Sequence, residues 1–231
     1  MNALLRAAHI SVARGGRAIL DDVSFSATPS SALGIIGPNG AGKTTLFRAV
    51  AGLTPADRGE VLFGAAPLRD RASALFYLPD GIRPWPERRA GWCLDAFAAL
   101  FGRTRDDEAI AALQLAPLLG SRVHSLSKGE AKRLLLALAF ATPQPVLMLD
   151  EPFDGLDFRQ TRLAMDLLRA RAAAGRTLIL SIHQLTDAAR VCDRFLLLDH
   201  GRAIAEGTLD ELRATAGDAN ATLEEAFLAL A

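Results

Sequence analysis

Short runs of apolar and β-branched residues open the chain at residues 9–13 and 23–27, divided by Gly15-Gly16 and by the polar pair Asp21-Asp22. Runs of this length between turn signals predict a small antiparallel sheet. A third run, 32–36, is apolar throughout and ends in a glycine-rich turn, after which a helical pattern covers 43–51; this reads as strand, loop and helix. From 87 to 119 the period is helical, with Trp92, Ala96, Ala99 and Leu100 on one face and a second segment, 105–115, broken near Pro117. The stretch is expected to form an inserted helical lobe, with Trp92 packed inside it. Further on, apolar strands at 146–149, 177–181 and 195–198 alternate with helices at 159–173 and 184–191. Such alternation builds a parallel sheet covered by helices. A hairpin-like run at 203–206 leads into two short helical pieces, 209–214 and 223–230, joined by a connection at 215–220.

The fold class is therefore α/β, with a mostly parallel core sheet, an N-terminal antiparallel β subdomain and an inserted α-helical subdomain. With 231 residues the chain holds one sizeable core with a satellite lobe, so a single domain over 1–231 is expected, its helical subdomain at about 80–142 and its helical tail at about 208–231. Half of the residues are hydrophobic and 23% are charged, which argues for a packed protein and against disorder. The 26 basic and 26 acidic side chains cancel, so no global field draws the chain to nucleic acid or an anionic bilayer, and no nucleic-acid partner is expected. The richest apolar run, 134–140, is far shorter than the roughly 20 residues of a membrane span. Residues 1–12 lack the apolar block of a secretory signal, so cytoplasmic residence is expected. Cys93 and Cys192 stand apart in apolar surroundings and read as small buried hydrophobes, not as a disulfide or metal pair.

Candidate chemistry begins at Gly37-Pro38-Asn39-Gly40-Ala41-Gly42-Lys43-Thr44, which fits G-x-x-x-x-G-K-[ST] without a mismatch and falls where a strand meets a helix. Glycines let backbone N–H groups converge on phosphate oxygens, and the helix N-terminus adds positive potential. Lys43 is placed to reach the β and γ phosphates, Thr44 to offer its hydroxyl to Mg²⁺, and Thr45 to donate to the α phosphate. A glycine-rich turn beside a surface lysine is the competing reading, which the flanking strand and helix disfavour. About a hundred residues later, Val146-Leu147-Met148-Leu149 runs into Asp150-Glu151. A buried strand of this kind presents carboxylates at its C-terminal end, where ligands of such sheets bind. Asp150 is suited to hold Mg²⁺ through water and Glu151 to polarise an attacking water; otherwise the pair is a solvated acidic turn.

Between these elements, Leu126-Ser127-Lys128-Gly129-Glu130 followed by a helical run resembles the signature of ATP-binding cassette ATPases, whose usual form is Leu-Ser-Gly-Gly-Gln. Gly155-Leu156-Asp157 resembles that family's D-loop, and His183 after strand 177–181 its switch histidine, so the resemblance covers nearly the whole chain. It implies that Ser127, Lys128, Gly129 and Glu130 contact the γ phosphate of ATP held by a second cassette, identical or related. It further implies that Asp157 links the two sites and that His183 contacts the γ phosphate. As plain local structure, Ser127 with Glu130 forms a capping box, and both readings hold together. Lys128 departs from the pattern by adding bulk and charge near a phosphate. Arg14 stands where the family places an aromatic residue against adenine, and is either a stacking guanidinium or a solvated side chain. Asp80, after Phe76-Tyr77-Leu78-Pro79, replaces the family's glutamine, and a carboxylate there is in reach of Mg²⁺.

The implied activity is hydrolysis of ATP to ADP and phosphate, with Mg²⁺, on the cytoplasmic face of a membrane and coupled to a separate transmembrane permease subunit. The tail around Glu206-Gly207-Thr208-Leu209 and residues 223–227 resembles those of exporter-type cassettes. Arg83, Arg88 and Arg89 mixed with Trp85 suit a protein interface beside Asp80. Two other readings compete. A soluble cassette ATPase acting on ribosomes or DNA is expected to carry a second cassette, a long coiled-coil insertion or basic patches, and none is present. A kinase or GTPase with a phosphate loop does not account for 126–130 or His183, and no Asn-Lys-x-Asp element for reading guanine exists in the chain.

Overall fold

In a computed structural model, residues 3–231 are described; Met1 and Asn2, which the N-terminal signal argument also drew on, lie outside them. In chain order the elements are β1 (Leu5–Arg14), β2 (Arg17–Ala27), β3 (Ala32–Ile36), α1 (Lys43–Val50), β4 (Arg58–Phe63), β5 (Ala66–Pro67), α2 (Arg71–Ala74) and β6 (Leu75–Leu78). Then follow α3 (Ala90–Leu100), α4 (Asp107–Ala112), α5 (Lys128–Phe140), β7 (Val146–Asp150), α6 (Phe158–Ala173), β8 (Thr177–Ile182) and α7 (Leu185–Val191). The chain ends with β9 (Arg194–Asp199), β10 (Arg202–Gly207), α8 (Leu209–Ala216) and α9 (Leu223–Leu230).

Two sheets result. One is antiparallel, in the order β2-β1-β4-β5; the other has six strands in the order β10-β9-β3-β8-β7-β6, parallel except for β10. The core strands read as unbroken apolar runs because both faces of the six-stranded sheet are covered. Val146, Met148, Ile179, Leu196 and Leu198 pack with α1 and the antiparallel sheet, whereas Leu147, Leu149, Leu178, Leu180 and Leu197 pack with α5, α6 and the helical lobe. Alternate residues of each strand thus serve two different cores, each fully buried side chain contributing about 1.5–3 kcal/mol.

The predicted strand 32–36 and helix 223–230 coincide with observed elements, and the N-terminal strands extend beyond their apolar centres into one hairpin with strands of ten and eleven residues. Strands β4 and β5 were not expected. Both are mostly exposed, so no apolar alternation marks them. The expectation for Trp92 is overturned: it is 44% exposed, while α3 buries Ala90, Cys93, Leu94 and Ala98. The helix is apolar on more than one side, so its period alone leaves the inward face ambiguous, and the face it buries carries Cys93, Leu94 and Ala98. Trp92 instead meets Trp85 edge-on at 5.9 Å between centroids and lies under the Arg88 guanidinium at 4.9 Å. Both cysteines are buried and unpaired, and desolvation raises the thiol pKa of each.

Candidate active site

The neighbouring parallel strands β3, β8, β7 and β6 end at one edge of the sheet, where β3, β7 and β6 lead into the residues of a cleft and β8 into its flank. Loop 37–44 follows β3, His183 follows β8, Asp150 and Glu151 end β7, and Asp80 follows β6. This is the carboxyl edge at which open α/β sheets bind ligands. The cleft is lined by Ile19, Pro38, Asn39, Gly40, Gly42, Lys43, Thr44 and Thr45 on one side and by Asp80, Asp150 and Glu151 on the other.

Helix α1 starts at Gly42, which has φ 105° and no side-chain cap. A Cβ there would stand 2.7 Å from Leu20 Cδ2 and in a backbone region that side chains avoid, so glycine is required. The uncapped first turn leaves backbone N–H groups directed into the cleft, an arrangement that receives an anion. Lys43, 7% exposed, donates from Nζ to the carbonyls of Gly37 at 2.7 Å and Pro38 at 3.3 Å. The ammonium is thus held over the loop.

Asp150 is almost fully buried. Its Oδ2 accepts from Thr44 Oγ1 at 3.0 Å and from the Tyr77 hydroxyl at 3.2 Å, and its Oδ1 accepts from Ser181 Oγ. Burial, and then the Asp150 charge, raise the Tyr77 hydroxyl above its ordinary pKa, so Tyr77 remains a donor at any working pH. A carboxylate beside a hydroxyl at the start of α1 is an all-oxygen donor set, and it fits a small hard divalent cation.

Glu151 stands between two cationic or basic groups, with Oε2 at 2.7 Å from His183 Nδ1 and Oε1 at 3.9 Å from Lys43 Nζ. Its φ is 49°, a conformation that costs a residue with a side chain about 1–3 kcal/mol. The strain is held by bonds at both ends of the residue. Its N–H lies 3.0 Å from Ser181 Oγ, and its carbonyl accepts from Lys132 Nζ at 2.8 Å.

The remaining predicted residues fall in two places. Arg14 is exposed beside the Gly15-Gly16 turn and does not line the cleft; Ile19 is the side chain of the N-terminal sheet that does. Ser127, Lys128, Gly129 and Glu130 do not line it either. Ser127 caps α5 in a capping box, accepting from the Glu130 N–H at 3.2 Å while Glu130 Oε2 accepts from the Ser127 N–H at 2.8 Å. Lys128 reaches back to Asp154 at 2.6 Å, and that hydrogen bond holds the Asp154 carboxyl below its ordinary pKa. A Cβ on Gly129 would stand 2.6 Å from the Gly155 carbonyl, so this approach of α5 to the loop after β7 tolerates only glycine. Asp157 caps α6, pairing with Gln160. On the far side of Glu151 a second depression is lined by Phe153, Asp154, Gly155, Leu156, His183 and Gln184, and Phe158, 76% exposed, stands at its rim.

Sequence reasoning missed Tyr77, Ser181 and Lys132. None belongs to a recognisable motif; only the pairing of Asp150 with Ser181 across β7 and β8, and of Tyr77 with Met148 across β6 and β7, brings the first two to the carboxylate.

A doubly covered parallel sheet whose edge carries loop 37–44, Asp150 and Glu151 defines a phosphate-loop nucleotide-hydrolysing protein. Comparison with known proteins narrows this class. Residues 20–154, more than half of the chain, match the family model described as ABC transporter. The chain is 34% identical over 213 residues to a Nod factor export ATP-binding protein I of Rhizobium etli, covering 88% of this chain and 67% of that protein. A counterpart from Sinorhizobium fredii is 37% identical over 86% of this chain and 61% of its own length. A hemin import ATP-binding protein of Thermobifida fusca is 33% identical over 88% of this chain and 76% of its own. Among solved structures, an ATP-binding subunit of an ABC transporter superimposes with a TM-score of 0.90 at 29% identity, covering 98% of this chain and 99% of the other. The chain belongs to the ABC transporter family as an ATP-binding cassette subunit, and it is an ATPase. The export and import names of its relatives leave direction to further argument.

Proposed function

We propose that this chain powers a membrane transporter by closing on ATP with a second cassette, head to tail, and reopening after hydrolysis, and that the transporter is an exporter. One observation carries the pairing. Ser127 and its neighbours turn a helix N-terminus toward solvent, away from the cleft of their own chain, so that end of α5 is placed to meet a phosphate held by another molecule's loop 37–44. The depression rimmed by Phe158 beside Glu151 and His183 favours the same face.

In each cleft the backbone of loop 37–44 and the first turn of α1 bind the triphosphate, and Lys43 moves its ammonium from the Gly37 and Pro38 carbonyls to the β and γ phosphates. Thr45 donates to the α phosphate. Thr44 and Asp150 would hold Mg²⁺, which would supply positive charge against the triphosphate. Glu151 orients a water and accepts its proton as the water oxygen bonds to the γ phosphorus and the bond to the bridging oxygen of ADP breaks. His183, already bonded to Glu151, holds that carboxylate in place and contacts the γ phosphate. Asp157 lies next to the paired face and carries the state of one site to the other. Arg14 is left free to approach the base at the open side of the cleft.

Among the described residues no helix is long and apolar enough to cross a membrane; in this reading the permease is a separate polypeptide. Its contact surface is the aromatic face of the helical lobe, where Trp85, Trp92 and Ile82 are exposed beside Asp80 and Arg88. Such a subunit sits peripherally on the cytoplasmic side. Export is favoured by the relatives 34% and 37% identical to the chain, both Nod factor export ATP-binding proteins.

The test is expression together with the membrane protein of the adjacent reading frame. A stable complex is expected, with ATP-driven outward movement of cargo from cells or into inverted vesicles, and Trp85→Ala with Trp92→Ala is expected to dissociate it. Absence of a complex, or of transport by a complex that forms, would overturn the reading.

A further inference from the structure

The peptide unit of Glu151 is held from two directions that belong to different parts of the fold. Its N–H points to Ser181, at 3.0 Å from Oγ and 3.2 Å from the carbonyl oxygen, and Ser181 is the ladder partner of Asp150, so this hold is part of the sheet. Its carbonyl is held by Lys132 Nζ at 2.8 Å, and Lys132 belongs to the second turn of α5, outside the sheet. A φ of 49° at a residue with a side chain persists only where the surroundings over-determine it.

Lys132 is 5% exposed, and a buried ammonium requires a counter-charge. That charge is Asp80, whose Oδ1 lies 2.6 Å from Nζ. Asp80 follows β6, where the chain leaves the sheet for the helical lobe, and its carboxylate is 40% exposed at the lining of the cleft. One ammonium therefore joins three segments: the helix that begins at Ser127, the exit from β6 and the strand end that carries Glu151. An ammonium suits the junction because it offers three donors with one charge, enough for a carboxylate and a carbonyl together.

We propose that Lys132 is a positioning residue for hydrolysis, holding the Glu151 backbone in the left-handed conformation that aims its carboxylate into the cleft, with Asp80 as the counter-charge that keeps the lysine there. The proposal rests on the reading of Glu151 as the carboxylate that orients water. Displacement of the Asp80 segment withdraws the counter-charge, frees Lys132 and lets Glu151 relax, so a movement of the helical lobe is converted into loss of turnover.

Lys132→Met keeps the length of the stem and removes both donor and charge. In the purified chain it is expected to lower kcat about 10- to 100-fold while ATP affinity, read by equilibrium titration, changes less than about threefold, and Lys132→Arg is expected to recover part of the loss. Asp80→Asn, at a half-exposed position, is expected to lower kcat about 3- to 10-fold on the same reasoning, and it carries the test if Lys132→Met fails to fold. Because Lys132 acts through Glu151, adding Lys132→Met to Glu151→Gln is expected to leave the residual rate of Glu151→Gln unchanged. Turnover within about twofold of the parent in either folded single variant, or an additive loss in the double variant, would overturn the proposal. Full activity of Glu151→Gln alone would instead remove the reading of Glu151 on which it rests.

Discussion

Glu151→Gln is expected to lower the turnover number by about 10²- to 10⁴-fold and to leave ATP binding intact. The amide has the shape of the carboxylate and still reaches His183, whose Nδ1 lies 2.7 Å from Oε2, so the local geometry survives. What it lacks is the capacity to take a proton from water. The substitution also removes a negative charge that stands 3.9 Å from Lys43, close to where the γ phosphate is bound. Loss of that repulsion favours nucleotide, so two chains with two ATP molecules are expected to accumulate as a closed pair. Single-turnover hydrolysis, nucleotide titration and sedimentation with ATP and Mg²⁺ check the three parts of the expectation. A monomeric Glu151→Gln protein with parental turnover would contradict the first and the last of them, and a weakened affinity in the titration would contradict the second.

Lys43→Ala is expected to fail earlier, at binding. A charge-assisted hydrogen bond to phosphate is worth about 1.5–3 kcal/mol, roughly 10- to 150-fold in affinity, and Lys43 makes its contacts from a buried position where water replaces it poorly. Removing it also strips the Gly37 and Pro38 carbonyls of their donor, which loosens the loop before ATP arrives. Titration of both proteins with a non-hydrolysable ATP analogue checks this, and equal affinities would contradict the role of Lys43. The two variants thus separate binding from chemistry, one on each side of the same cleft.

The cassette was legible from the sequence where covalent neighbours carry the chemistry. Loop 37–44 and the pair Asp150-Glu151 are each contiguous, and each lies at the end of a five-residue strand, apolar throughout in the first and over its first four residues in the second, too regular to miss. The capping box of Ser127 and Glu130 was equally readable, because both partners lie within one turn. What joins distant segments was not. Lys132 lies 52 residues from Asp80 in the chain, and its other contact is a backbone carbonyl, which no side chain announces. The positive φ of Glu151 has no mark in the sequence, since glutamate there is chosen for chemistry and held by its neighbours. Trp92 was misread for a related reason: α3 is apolar on several sides, and the partner that decides its inward face, α5, is remote in sequence.

The Lys128–Asp154 ion pair adds one element to the proposed cycle. It fastens the N-terminus of α5 to the loop that follows Glu151, so the surface offered to a second chain and the carboxylate of the first chain's own cleft move together. Both lysines of the first two turns of α5, one turn apart on the same side of the helix, grip that catalytic edge.

The pairing itself is tested by the rate of ATP hydrolysis per chain, measured for the purified protein alone over at least about two decades of concentration, with ATP and Mg²⁺ saturating throughout. If a second molecule's Ser127 end completes each cleft, the rate per chain falls as the pair dissociates and is restored on reconcentration. A rate per chain that stays constant far below the range of any measurable self-association would contradict the account.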